Sequence, residues 1–128
     1  MASVLRLQHT SIPMPGNGHA AARSFFGEML GMTEVLPPST LDRAKLVWFK
    51  AGQDEHEVHL FVDDSMSNQS VAQHLCLQVD DVHAFRERAT AHGVKVVETI
   101  AIHNRPRFFV HDPFNNMIEI VQITGDYT

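Results

Sequence analysis

Four polar residues occupy matching places in a chain that is written twice. The segment LQHTSIPM around His9 parallels AQHLCLQV around His74, and LVWFKAGQDEHEVHLFV (46–62) parallels RFFVHDPFNNMIEIV (107–121). In the second match Trp48-Phe49 falls on Phe108-Phe109 and His59 falls on Glu119. The offset drifts from 65 (74 − 9) at the first histidine pair, through 62 (93 − 31) at Gly31 and Gly93, to 60 (119 − 59) at His59 and Glu119. Duplication followed by short loop insertions leaves such a drift. Two copies related by a pseudo-twofold axis would bring His9, His59, His74 and Glu119 toward that axis. Three imidazoles and a carboxylate converging on one point make a site for a first-row divalent metal.

Face parity agrees with this chemistry. In QHLCLQV, His74, Cys76 and Gln78 share one strand face while Leu75, Leu77 and Val79 take the other. His59 opposes Val58, Leu60 and Val62, and Glu119 opposes Ile118 and Ile120. The aliphatic rows would pack on helices and the polar faces would line the hollow of a curved sheet. Glu119, set among Met117, Ile118, Ile120 and Val121, needs a partner because an unpaired buried charge is expensive. His59 also suits a supporting or substrate-contacting role. Cys76 reads as a small lining residue rather than a nucleophile, since no basic or helix-terminal neighbour is evident that would lower its pKa. Arg105 or Arg107 can orient an anionic substrate group or stand as a solvated edge residue. Of the other histidines, His103 and His111 flank a strand and can reach the pocket mouth.

The elements that must position these residues follow from periodicity. Residues 4–14 alternate as a strand, with Leu5, Leu7, His9 and Ser11 on one face. PGNG (15–18) is a turn into a helix whose apolar stripe is Ala22, Phe25, Phe26, Met29 and Leu30, ended by Gly31. Strands are expected at 33–36, 44–50 and 57–63. The plan then repeats: a strand at 73–79, and a helix capped by Asp80 or Asp81 that carries Val82, Phe85 and Ala89 and stops at Gly93. Strands follow at 94–99, 105–110 and 117–124, with HDPFNN (111–116) as the tight turn. The expectation is an α+β fold, a βαβββ module used twice in one domain over 1–128. Repeat 1 covers 4–63 and repeat 2 covers 72–124, joined by the polar linker 64–71. Curved mixed sheets would surround the metal site.

Bulk properties narrow the partners. A chain of 128 residues with 44% hydrophobic and 20% charged content is sized for one domain with its own core. Its net charge of −5 and lack of a Lys/Arg block argue against nucleic acid or an anionic membrane as partner. A single cysteine excludes an intramolecular disulfide and suits a reducing, cytoplasmic setting. MASVLRLQH has no signal-peptide pattern, and no apolar run reaches membrane-spanning length.

The motifs LQHTSIPM, SFFGEMLGM, QHLCLQVDDV and RFFVHDPFNNMIEIVQ resemble the vicinal oxygen chelate superfamily, which includes glyoxalase I, fosfomycin-resistance proteins, extradiol dioxygenases and bleomycin-binding proteins. The resemblance covers nearly the whole chain. It implies paired βαβββ modules enclosing one divalent metal (Zn, Ni, Mn, Co or Fe) bound by the first and last strands of the modules. That places ligand roles on His9, His74 and Glu119, and on His59, where glyoxalase I has glutamate or glutamine. Phe26 stands where tyrosine is usual. The implied activity is a glyoxalase I-like lyase or isomerase working through a metal-stabilised enediolate, with Glu119 moving the proton and His59 assisting. Extradiol-type oxygenation, thiol addition to an epoxide antibiotic and metal-free drug binding are the alternatives. The resemblance also implies a homodimer, with His9 and His59 from one chain meeting His74 and Glu119 from the other.

Overall fold

The computed structural model describes residues 2–65 and 72–128. The chain divides into two compact units, Met1–Met66 and Ser67–Thr128. The expected linker 64–71 lies outside the described residues beyond its first two positions. Among the described residues, no helix is long and apolar enough to cross a membrane.

In the first unit, β1 (His9–Met14), a helix, β2 (Thr33–Val35), β3 (Leu46–Lys50) and β4 (Glu57–Val62) form a four-stranded sheet of order β1-β4-β3-β2. β1 runs parallel to β4, and β4 and β2 are antiparallel to β3. The parity expected of the strands decides their faces. Ile12, Met14, Val58, Leu60, Val47 and Phe49 are buried with helix residues Ala22, Phe25, Phe26 and Met29. The helix starts as α1 (His19–Ala22) and widens over Arg23–Met29 into a coil with i→i+5 bonds, such as Leu30 N–H to Phe25 C=O at 3.0 Å. It ends where Gly31 adopts φ +71°. The apolar stripe was legible; the widening was not, because both helix types bury nearly the same positions over two turns.

β1 begins at His9 rather than at residue 4. Its ladder partner β4 begins at Glu57, opposite His9, so earlier residues have no strand beside them. Val4 (95% exposed), Leu5 and Leu7 therefore lie open, and Arg6 tethers the arm by donating to the Glu55 carbonyl at 2.7 Å.

The second unit contains β5 (His74–Gln78), α2 (Val82–Ala91), β6 (Arg107–His111) and β7 (Met117–Val121), with sheet order β5-β7-β6. Asp81 caps α2 by accepting from Ala84 N–H at 3.1 Å, and Gly93 (φ +73°) closes it. Phe108, Val110, Ile118, Ile120, Val82 and Ala89 form the core. The strand expected at 94–99 shrinks to a single bridge, in which Val97 and Phe109 exchange two backbone bonds of 2.8 and 2.9 Å. Beyond it the chain leaves the sheet edge, and the Ile100 carbonyl accepts from Arg107 instead. The turn after β6 is built on Asp112. Its Oδ1 accepts from Phe114 N–H and Asn116 N–H, and its Oδ2 from the Asn116 side-chain amide.

Candidate functional site

Strand register sorts the polar residues onto one open face in each unit. In the first unit, Ser11, His59, Trp48 and Val35 form one cross-strand row, and His9, Glu57, Lys50 and Thr33 form the next. In the second, Cys76, Glu119 and Phe109 form one row, flanked by His74, Met117 and His111 on one side and by Gln78, Val121 and Arg107 on the other. His59 and Glu119 thus hold equivalent places, as do His9 and His74. The aromatic match shifts by one residue: Trp48 corresponds to Phe109, not to Phe108. The cause is the turn, six residues (51–56) between β3 and β4 but five (112–116) between β6 and β7. A one-residue slip moves a side chain to the other sheet face, so Phe108 and Phe49 are core while Trp48 and Phe109 stand beside the polar residues.

In the first unit His59 is 7% exposed and clamped between two rings. Trp48 stacks on it with centroids 3.7 Å apart and His9 stacks on its other side at 4.2 Å. His59 Nε2 donates to Glu57 Oε1 at 2.7 Å, which leaves Nδ1 as the lone-pair nitrogen. Burial lowers the His59 imidazole pKa below its usual value, outweighing the hydrogen bond that the ring donates to Glu57 and joined by the neighbouring His9. The contact with Glu57 is therefore a neutral ring donating to a carboxylate. His9 Nδ1 lies 2.5 Å from Gln8 Oε1, an acceptor, so its Nε2 keeps a lone pair on an exposed ring. Among the described residues, the buried Trp48 Nε1 has no hydrogen-bond partner.

In the second unit His74 Nδ1 donates to the Ala72 carbonyl at 2.8 Å. That bond fixes the tautomer and aims Nε2 at Glu119 Oε1, 3.1 Å away. A neutral ring would then set a lone pair against a carboxylate oxygen, an arrangement that only a cation, a proton or a metal ion, makes favourable. The same Oε1 lies 3.4 Å from Arg107 Nη1. The Phe109 ring meets His74 edge-on at 5.0 Å. Cys76 is exposed, yet partial burial of its thiol and then the charge of Glu119 push it up to about 11, against the pull of Arg107. It is no nucleophile at neutral pH.

The expected ligands thus stand in pairs, His9 with His59 and His74 with Glu119. Among the described residues, no three His, Cys, Asp or Glu side chains are grouped as a metal centre. The donor chemistry of His9, His74 and Glu119 fits a divalent ion: each histidine presents one lone pair with its other nitrogen already bonded. His59 has the same donor pattern, with Nε2 bonded to Glu57 and Nδ1 free, but it fits less well because its ring is 7% exposed and stacked between Trp48 and His9. Sequence reasoning missed Glu57 and the Arg107–Glu119 contact. The signal for Glu57 was present, because residues i and i+2 of EVH share a strand face.

Each of these two units has a strand, a helix and an antiparallel strand pair joined to the first strand in a mixed sheet, which matches the βαβββ plan. The family model described as Glyoxalase/Bleomycin resistance protein/Dioxygenase superfamily matches residues 6–120, and the chain belongs to that superfamily. A protein assigned to the glyoxalase family from Bacillus anthracis is 28% identical, with 97% of this chain and 99% of that chain covered and a TM-score of 0.87. Lactoylglutathione lyase from Agrobacterium tumefaciens is 22% identical over 91% and 92% of the two chains, with a TM-score of 0.67. An antibiotic binding protein from Streptomyces sp. CB03234 is 21% identical over 97% and 100%, with a TM-score of 0.76. At these lower identities the likeness establishes the fold alone. No curated protein matches the chain.

Proposed function

We propose that this protein is a divalent-metal-dependent enzyme, a glyoxalase I-like lyase or isomerase acting on a small substrate with two neighbouring oxygens. Members of the superfamily generally use a divalent metal. The observation that carries the proposal is the His74–Glu119 pair, where a backbone carbonyl fixes the imidazole tautomer and directs its Nε2 lone pair toward a carboxylate. His9, His74 and Glu119 would hold the ion, with His59 Nδ1 as the fourth donor. When bound, the metal supplies a Lewis acid that polarises the substrate's oxygens.

The chain's own residues do the rest. Glu119 removes a proton from the carbon beside the carbonyl, which requires hydrogen-bond reach to that carbon. His59, oriented by Glu57, offers Nδ1 as a second acceptor when that nitrogen does not hold the ion. Trp48 and Phe109 wall the two polar faces and reduce water access to the reacting carbon.

Superfamily members bind small molecules and often form dimers. We assign this chain a homodimer in the cytoplasm, with His9 and His59 of one subunit serving the same ion as His74 and Glu119 of the other. Support comes from β1 and β5, which are edge strands of their sheets, and from the open Val4, Leu5 and Leu7. Unpaired strand edges and exposed apolar side chains invite association.

The enclosure of His59 between Trp48 and His9 favours a second reading. Two histidines and one glutamate alone make the facial triad of Fe(II) extradiol oxygenases. Metal analysis of protein purified without added metal, with turnover screening of 2-oxoaldehyde–thiol adducts, catechols and epoxides, separates the two. About one zinc or nickel per chain and adduct turnover is the expected outcome. Iron with catechol cleavage selects the oxygenase. A protein that takes up no divalent metal, or keeps full metal occupancy as both His74→Ala and Glu119→Ala, overturns the site assignment.

A further inference from the structure

We propose that Arg107 is a positioning residue that competes with the metal ion for Glu119, so that the metal affinity is lower than the ligand set alone would give; this rests on the metal-dependent reading above. Both side chains are nearly enclosed, Arg107 at 13% exposure and Glu119 at 11%. Arg107 Nη2 donates to the Ile100 carbonyl at 2.7 Å, its buried Nε has no hydrogen-bond partner among the described residues, and its guanidinium lies 5.6 Å from the Phe109 ring centre. Its remaining nitrogen, Nη1, faces Glu119 Oε1 at 3.4 Å. One carbonyl does not compensate an enclosed cation with an orphaned donor; the carboxylate is its counterion.

Glu119 Oε1 is therefore shared by Arg107 and His74. A divalent ion arriving at Glu119 has two courses. It draws the carboxylate away, leaving the guanidinium enclosed with one hydrogen bond, or it binds with a unit positive charge a few ångströms away. Both lower its affinity. The fold does not require this cation. Arg107 pairs with Val121 as Leu46 pairs with Phe61, so the equivalent position of the first unit carries leucine. The pair also explains how Glu119 is kept aligned when no metal is bound.

The test is titration of the full-length protein with Co(II), read by visible absorption and by competition against a chromophoric chelator. It compares wild type, Arg107→Leu, Arg107→Gln and Arg107→Lys, with circular dichroism as the check on folding. Removing the charge should tighten cobalt binding by about tenfold or more, the order expected for one unit charge at this distance in a partly shielded site. Arg107→Lys, which keeps the charge, should stay near wild type. The gain should vanish when the Arg107 change is made in Glu119→Gln protein, because coupled residues show non-additive effects. Merely structural damage would weaken binding, not tighten it. Arg107→Gln keeps an amide donor for the Ile100 carbonyl and decides the matter if the leucine variant does not fold. Equal or weaker cobalt binding by folded charge-removed variants, or a gain that survives in the Glu119→Gln background, overturns the competition while leaving the metal reading intact. Absence of cobalt binding in wild type and variants alike overturns both.

Discussion

Replacing Asp112 with alanine should loosen the hairpin that carries Glu119. The carboxylate is 4% exposed and organises the turn between β6 and β7 through three acceptor bonds: Oδ1 from Phe114 N–H at 2.9 Å and from Asn116 N–H at 2.8 Å, and Oδ2 from Asn116 Nδ2 at 2.8 Å. Alanine takes this acceptor from all three donors, two of them on Asn116, itself 4% exposed. At about 1 kcal/mol net for each bond, the expected loss is about 3 kcal/mol. For a chain of this size that lowers Tm by about 10 °C. Asp112→Asn retains an Oδ1 acceptor and should cost about 1 kcal/mol. Burial outweighs the hydrogen bonds and the nearby His111 and raises the Asp112 pKa above its ordinary value of 3.8. A raised folded value means that the group's stabilisation is complete below the ordinary carboxylate range and is lost as pH rises through the folded value. The stability gap between wild type and Asp112→Asn should therefore be larger near pH 4 than near pH 7. Urea unfolding followed by circular dichroism at both pH values measures this. An alanine variant within about 1 kcal/mol of wild type, or a gap that widens with rising pH, would refute the reasoning. Because the hairpin sets Phe109 opposite Glu119, the alanine variant should also lose metal affinity.

The site residues give further expectations. Glu119→Gln should lose most turnover on a true substrate even where some metal is retained; near wild-type turnover in metal-loaded protein would sink the role of Glu119 as base. His59→Gln should be milder in turnover but should lose about 1–2 kcal/mol of stability, because both ring stacks disappear, and thermal melts beside rate measurements check the two effects together. Sedimentation of the metal-loaded protein at micromolar concentration should give a dimer, and a metal-loaded monomer would contradict the shared-site arrangement.

The periodicity of the chain alone determined the two modules and the face on which each candidate ligand stands. Alternation assigns a strand residue to one side of a sheet without knowledge of its neighbours, so His59, His74 and Glu119 were legible opposite their aliphatic rows. So were the helix stripe from Ala22 to Leu30 and the stops at Gly31 and Gly93, since cap and stripe are local properties. Which residue lies opposite which is not local. It depends on turn length and on where a partner strand begins. Only the folded structure could shift Trp48 onto Phe109, leave residues 4–7 without a strand beside them, or reduce 94–99 to the Val97 bridge. The same holds for the chemistry of the candidate site. That Trp48 and His9 stack on His59 required the register of β4 beside β3 and β1, and that Arg107 shares Glu119 with His74 required β5, β6 and β7 to come together. Contacts between strands distant in sequence form only when the sheet closes, and one sequence read along its length carries no direct record of them.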